Sequence, residues 1–304
     1  MMCRDGWPRQ RLLWRCPCWN HHQDLQLRLR QADPIIIALW ISLVIVAIIW
    51  VAPFIFIALT AMKTRPDLIK TGAFGLPTTI AWENFSNAWS KAKLSTAFVN
   101  SAIITFTKVP IGLFLSSLAA FALARMRFRF QKVLFVLLVM GTMIPVQVAL
   151  GPLFRLILNL GLLNKYAGIL LPYIAFGVPY HVFILRGYFR GIPVELDEAA
   201  RLDGASSFGV YWRVILPLAT PALAALFILD FVSTWNEFGI ALVILQRQNA
   251  WTIPLSLQAF TGQFGNNYTQ LNAAILMAIL PVIIVYLLFQ RYFVSGLVAG
   301  AVKG

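Results

Sequence analysis

The stretch Ile192-Pro193-Val194-Glu195-Leu196-Asp197-Glu198-Ala199-Ala200-Arg201-Leu202-Asp203-Gly204-Ala205-Ser206-Ser207, continued by Phe208 to Pro217, is a polar island between two long apolar segments. It reads as helix, turn, helix. Pro193 suits the first turn of a helix, and Gly204 suits the residue just past its end. Glu195, Asp197 and Glu198 fall in the first turns, where the helix dipole favours anions. Ala199 and Ala200 are small enough for a second surface to come close to the backbone. Ser206 or Ser207 can cap a second short helix; Pro217 stops it, and Pro221 marks the entry to the next apolar segment. Four of the eleven acidic residues of the chain lie between Glu195 and Asp203. A merely solvated helix would pair Asp197 with Arg201 at i,i+4, worth a few tenths of a kcal/mol. That reading leaves the apolar row Phe208, Val210, Tyr211 and Trp212 unexplained. A docking element accounts for both features.

Around this island apolar segments dominate. The 304-residue chain is 60% hydrophobic and 12% charged, against about 25% charged in soluble domains. A bilayer core about 30 Å thick takes roughly 20 apolar residues per helix. Six segments qualify, at about 34–61, 96–123, 133–157, 167–189, 222–245 and 271–293. The expected fold is an all-α membrane protein with six transmembrane helices, in which residues 190–221 link the fourth and fifth. Residues 62–95, with Trp82, Phe85 and Trp89 as anchors, predict a folded external loop with an interfacial helix. A second polar loop runs from Gln246 to Gln270. The third segment contains Pro145 and Pro152.

The net charge of +14 reports orientation. Sixteen Lys and Arg fall in residues 1–33, Arg125 to Lys132, Arg186 to Arg213 and the tail, against eight in the three segments on the opposite side. That bias puts both termini and the 190–221 loop in the cytoplasm. No basic residues interleave with exposed aromatics as a nucleic-acid groove requires. Residues 1–33 are polar, Arg-rich and irregular, and read as a basic cytoplasmic extension. They hold all three cysteines, Cys3, Cys16 and Cys18, a number that supports no disulfide framework. The run Cys16-Pro17-Cys18-Trp19-Asn20-His21-His22 contains soft metal ligands, but its spacing fits no common zinc pattern. The first apolar segment is far longer than a signal-peptide core. No Gly-x-x-x-x-Gly-Lys-Ser/Thr loop occurs to cradle phosphates. No His-Glu-x-x-His or Gly-x-Ser-x-Gly occurs either, so an enzyme reading has no constellation to rest on.

The polar island also resembles the cytoplasmic signature of ABC-importer permeases: Glu-Ala-Ala, three residues, Gly, nine residues, Ile, one residue, Leu-Pro. Here Glu198-Ala199-Ala200 is followed by Gly204, then by Val214 in place of Ile, then by Leu216-Pro217. Three further segments narrow the resemblance to the MalG-type permeases of carbohydrate importers. They are Met143-Ile144-Pro145-Val146-Gln147, Trp235-Asn236-Glu237-Phe238 and the tail Gly300-Ala301-Val302-Lys303-Gly304. The resemblance covers about residues 34–304, and residues 1–33 have no counterpart. It implies the type I ABC-importer permease fold in a bacterial inner membrane, with the island as a coupling helix docked in a groove of an ATPase subunit. Glu198, Ala199, Ala200 and Gly204 would carry the coupling contacts, with Arg201 and Asp203 beside them. The resemblance further implies a homologous second permease and two ATPase copies. ATP and Mg would sit on the ATPases, and this chain would bind no cofactor. An external solute-binding protein would deliver a carbohydrate. The loop Gln246 to Gln270 would reach that binding protein, and the tail after Phe293 would touch the ATPases.

Strongly polar residues within spans are costly, and they mark either helix contacts or substrate routes. The candidates are Asn100, Lys108, Gln147, His181, Asp230, Asn236 and Glu237. Gln147, Asn236 and Glu237 fit either role and, with Trp235, make the candidate substrate path. Lys108, His181 and Asp230 read mainly as bonds between helices. The alternative function is a secondary transporter driven by an ion gradient. It predicts an inverted repeat and paired midplane carboxylates, and no convincing repeat is present. A membrane-bound enzyme is less favoured.

Overall fold

A computed structural model describes residues 34–261 and 267–301, with side chains to Gln290. The expectations for residues 1–33, and for the side chains of the tail beyond Gln290, lie outside the described residues. The chain divides into two units, residues 1–54 and 55–304. The described part of the first is the N-terminal portion of helix α1 (Pro34–Ala61), an apolar run with mean hydropathy 3.0. Ile35 to Phe54 present large exposed apolar side chains, which is the surface a lipid-facing span requires.

The second unit consists of helices and connecting loops, with no strand among its described residues. It contains α2 (Arg65–Thr71), α3 (Glu83–Lys91), α4 (Leu94–Arg125), α5 (Gln131–Gly141), α6 (Val146–Asn159), α7 (Tyr166–Gly191) and α8 (Glu195–Leu202). These are followed by α9 (Ser207–Leu218), α10 (Thr220–Trp235), α11 (Gly239–Ile244), α12 (Ile253–Ser256) and α13 (Tyr268–Ala301). The helices α1, α4, α7 and α13 are long and apolar enough to cross a membrane alone. Two bent pairs, α5–α6 and α9–α10, raise the number of possible spans to six.

The centre of the unit is α4, which packs most extensively against α7. Ala97, Ser101, Thr105, Lys108, Gly112, Ser116 and Ala120 recur along α4 at steps of three and four residues, and all are buried. Small residues on that stripe let α7 come close, as helix contacts in lipid require. The opposite face carries Val99, Ile103, Phe106 and Phe114, all exposed. The helix is thus apolar outward and small or polar inward, the reverse of a soluble amphipathic helix. The stripe's hydroxyls are used differently: Ser116 Oγ donates to Gly112 O at 2.6 Å, within the helix, and Ser101 Oγ accepts from Ile253 N at 2.9 Å.

Two expected spans are broken. Residues 133–157 are not one helix: α5 and α6 meet at a bend of 95°. Proline disfavours the helical region for the residue before it, so the helix ends ahead of Pro145, and α6 starts afresh from an extended Pro145 (ψ 126). Residues 222–245 are likewise divided. Helix α10 stops at Trp235, and the apolar sequence resumes as the short α11, packed on α6. At its other end α10 meets α9 at 73°, next to Pro217 and Pro221. The middle turn of α9, Tyr211–Ile215, is wound as π-helix. Tyr211 there is fully buried and its hydroxyl lies 2.7 Å from Ser117 Oγ of α4.

The loop expected between residues 62 and 95 is folded. Thr64 caps α2 by accepting from Asp67 N at 3.3 Å, and Gly72 ends it at φ 69. The side-chain amide of Asn84, buried in α3, donates to Ala61 O and Lys63 O, each at 2.8 Å. Asn84→Ala would leave two buried carbonyls without a donor, a change worth about 1–3 kcal/mol. The purified protein in detergent is expected to show a lowered Tm; an unchanged Tm would count against Asn84 as the tie that holds this loop.

Candidate functional site

A cavity of about 610 Å³ opens among α4, α6, α7 and α10. Lys108, Gln147, Tyr173, His181, Asp230 and Glu237 are among its lining residues. The ammonium of Lys108 on α4 donates to Asp230 Oδ1 on α10, and His181 Nε2 on α7 lies 3.4 Å from the same oxygen. Three helices are therefore joined at one point inside the apolar layer. The Lys108 and Asp230 side chains are 5% and 6% exposed. Gly177 makes room for this cluster: a Cβ there would stand 3.2 Å from Lys108 Nζ and 3.2 Å from His181 Cε1. Two buried atoms of the cluster, His181 Nδ1 and Asp230 Oδ2, have no hydrogen-bond partner among the described residues.

Glu237 is held differently. Its carboxylate accepts from Ile240 N at 2.8 Å, from Ala241 N at 3.1 Å and from the Tyr173 hydroxyl. It caps α11 and ties that helix to α7. Of the four residues expected on a substrate path, Gln147 and Glu237 line the cavity. The other two are not among its lining residues. Trp235 is buried, stacked on Phe231 with ring centroids 5.5 Å apart, and donates Nε1–H to Ala278 O at 3.2 Å. The Asn236 amide is exposed and donates to Val232 O at 2.9 Å, closing the end of α10. Lys108, His181 and Asp230 do two things at once: they bond helices and they line the cavity. The available signal was two opposite charges in separate apolar segments, which the bilayer makes too costly to leave apart. Asn100 lies elsewhere. Its amide donates to Asn249 O at 3.0 Å and Trp251 O at 2.9 Å, anchoring the loop that follows residue 246.

At the far end of α4 sits the polar island. Helix α8 carries Glu195, Asp197 and Glu198 in its first turn, and Gly204 turns the chain at φ 85 beyond its end. Ser206 caps α9 by accepting from Gly209 N at 3.2 Å. Helix, turn and helix fall where the sequence places them. The acid pairing differs from a solvated helix, however. Asp197 is buried and pairs with Arg125 of α4, Nε to Oδ2 at 3.2 Å, and not with Arg201. Arg125 also donates to Ile192 O at 2.7 Å, so one guanidinium clamps the loop at two points. Arg201 instead reaches Ser207 Oγ at 3.4 Å. With Asp197 turned in, Ala200 packs against the core beneath, while Glu198, Ala199, Asp203 and Gly204 face outward. Leu202 is 89% exposed and Phe208 62%. Leu216 and Pro217 lie further on, lining an apolar groove with Trp212 and Phe289. Arg125 was legible only as part of a basic patch; its partner lies 72 positions away, beyond any local pattern.

Residues 109–298, which contain both α8 and most of the cavity, match the family described as binding-protein-dependent transport system inner membrane component. The chain belongs to that family. Among relatives of this transport component is the arabinooligosaccharides transport system permease protein AraQ of Halalkalibacterium halodurans. It is 36% identical over 90% of this chain and 99% of its own length. The melibiose/raffinose/stachyose import permease protein MelC of Bacillus subtilis is 36% identical over 86% of this chain and 94% of its own. Among solved structures, a bacterial ABC transporter involved in the import of the acidic polysaccharide alginate aligns at a TM-score of 0.74. It is 27% identical and covers 84% of this chain and 95% of that one. The all-α, multi-pass membrane fold of this transport component is thereby that of an ABC-importer permease.

Replacing Arg125 by Gln would strand the Asp197 carboxylate in a buried site. Loss of one partner of such a pair is strongly destabilising. Amide hydrogens of α8 are expected to exchange roughly tenfold faster or more, while those of α4 and α7 hold their protection. Equal exchange in the variant and the parent would remove the clamp.

Proposed function

We propose that this chain is the membrane-spanning permease subunit of an ATP-driven importer of a saccharide, and that α8 is its contact with the ATPase. One observation carries the second half of this reading. A short helix with acids and bare apolar side chains facing out is held rigidly from beneath by a buried ion pair. An isolated exposed helix of this length is not stable alone; here Asp197 and Ala200 fix it and leave Glu198, Ala199, Leu202 and Gly204 as the presented face. Exposed apolar patches rimmed by charge mark protein contacts. The loop lies on the cytoplasmic side, where the ATPases and their ATP and Mg are found, with both termini on that side. Arg201 and Asp203 flank the contact, and Leu216-Pro217 fix the direction in which α9 leaves it.

The remaining partners follow from the same reading. A homologous second permease completes the membrane unit, two ATPase copies grip one coupling helix each, and an external solute-binding protein delivers the cargo. A solved complex of a bacterial alginate ABC transporter with an alginate-bound periplasmic protein aligns with this chain at a TM-score of 0.63 and 16% identity. The saccharide cargo is supported by the relatives named for arabinooligosaccharides and for melibiose, raffinose and stachyose. Cargo passes the cavity beside Gln147 and Glu237, while Trp235 and Asn236 shape the wall behind it. ATP-driven closure of the ATPases moves α8, and α8 moves the spans as rigid bodies.

Glu198→Lys reverses a charge on the presented face, and Gly204→Pro forces φ near −65° where the turn needs 85°. Either variant is expected to insert normally and to abolish saccharide uptake into cells. Uptake at parental rates by both would sink the coupling assignment. In proteoliposomes holding the complete transporter, loaded binding protein is expected to raise ATP hydrolysis several-fold. A rate that does not respond would argue against an importer.

A further inference from the structure

We infer that the cavity admits saccharides that carry no net negative charge, and that the Lys108–Asp230 ion pair sets this selection. The inference rests on the reading of the chain as a saccharide permease, and it names the chemical class of the cargo. The fold alone does not decide that class, since the aligned alginate importer moves an acidic polysaccharide on the same architecture.

Charge does decide it. Three formally charged side chains line the cavity: Lys108, Asp230 and Glu237. No arginine and no second lysine is among the described lining residues. The single cation is already committed, because its ammonium donates to Asp230 in a site where both side chains are almost wholly buried. A uronate carboxylate could use Lys108 only by displacing Asp230, which would strand a buried carboxylate. The second anion, Glu237, has its donors supplied by Tyr173, Ile240 N and Ala241 N. It places a second carboxylate beside the path and occupies the α11 amides that would otherwise attract an anion. An acidic sugar would therefore shed its water beside a neutralised ion pair and the Glu237 carboxylate with no free cation among the described lining residues, a repulsive arrangement of the kind that creates specificity.

A neutral sugar meets a suitable lining. Its volume, about 610 Å³, lies within the range of about 300–1,000 Å³ for small-molecule sites. Tyr173, Phe176 and Tyr180 offer aromatic faces to the C–H faces of sugar rings, and Gln147, Ser233 and Thr234 offer hydroxyl and amide groups. A neutral sugar makes these contacts without disturbing the Lys108–Asp230 ion pair.

The test uses the permease–ATPase complex in lipid nanodiscs without its binding protein, so that the binding protein's own selectivity does not enter. Saturation-transfer NMR would compare neutral arabinobiose, melibiose, maltose and diacetylchitobiose with digalacturonate and dimannuronate. At least one neutral sugar is expected to receive saturation and the uronates none. Uronate binding to the parent as strong as that of the neutral sugars overturns the inference, and so does silence from every probe. Asp230→Asn frees the Lys108 cation; uronate affinity is expected to rise roughly tenfold, the scale of one charge-assisted hydrogen bond. A folded Asp230→Asn variant with no gain removes the ion pair from the selection. Should that variant not fold, the comparison in the parent stands by itself. The double variant K108Q/D230N, with no stranded charge, is expected to show no uronate gain; a gain there would also overturn the assignment. Parallel ATP-driven uptake of the neutral sugars by the complete transporter separates the two readings. Uptake combined with unselective binding defeats the charge selection alone, and absence of uptake for any saccharide defeats the importer reading.

Discussion

The contact of α4 with α7 is what the second unit is built around, and it depends on a stripe of small and polar residues that a lipid-facing helix would not tolerate outward. In lipid there is no hydrophobic drive to hold one apolar helix against another, so close packing and internal hydrogen bonds must do it. Ala97, Gly112, Ser116 and Ala120 supply the closeness. Lys108 and Arg125 supply the bonds, one to a carboxylate on α10 and one to a carboxylate on α8. Both cations sit on one helix, separated by 17 residues or about 25 Å at the α-helical rise. The cavity and the loop therefore share a single continuous helix.

Broken helices are the second theme. Irregular backbone within a membrane survives only where it is enclosed by protein or lines a cavity. The interruptions after Gly141 and after Trp235 both flank the cavity, bringing Gln147 to one side and Glu237 to the other. Glu237 repairs the second interruption by taking up free amides at the start of α11. A residue that looks from the sequence like a costly charge in a span is thus also the cap that makes the break affordable.

Much of this was legible beforehand. Helix α1 runs Pro34–Ala61 as its apolarity predicts, and α4 and α7 extend their expected spans by one or two residues at each end. The island's helix, its Gly204 turn and the Ser206 cap follow from local chemistry, which the chain carries within ten residues. What was not legible is long-range or cooperative. Hydropathy cannot distinguish one span of 24 residues from a 16-residue helix followed by a short buried one, because both are apolar throughout. Asp197 had an obvious local partner in Arg201 and took a distant one, since burial against Arg125 excludes water where the i,i+4 pair would remain solvated. Trp235 was placed with the candidate substrate path but stacks on Phe231, because the motif shows which residues are adjacent and not which way the helix is turned.

The ion pair between Lys108 and Asp230 also has a history in time. Its members are 122 residues apart in the chain. At about 5–20 residues per second for synthesis, roughly 6–24 s separate the emergence of the lysine from that of its aspartate. If α4 enters the bilayer before α10 is made, it does so without its carboxylate partner, and a lone lysine near a helix centre costs about 2.5–3.5 kcal/mol. The exposed apolar face of α4 (Val99, Ile103, Phe106 and Phe114) offsets that cost until α10 arrives. The same bond that shapes the cavity is thus a late lock on biogenesis, closed only once nearly all the spans have left the ribosome.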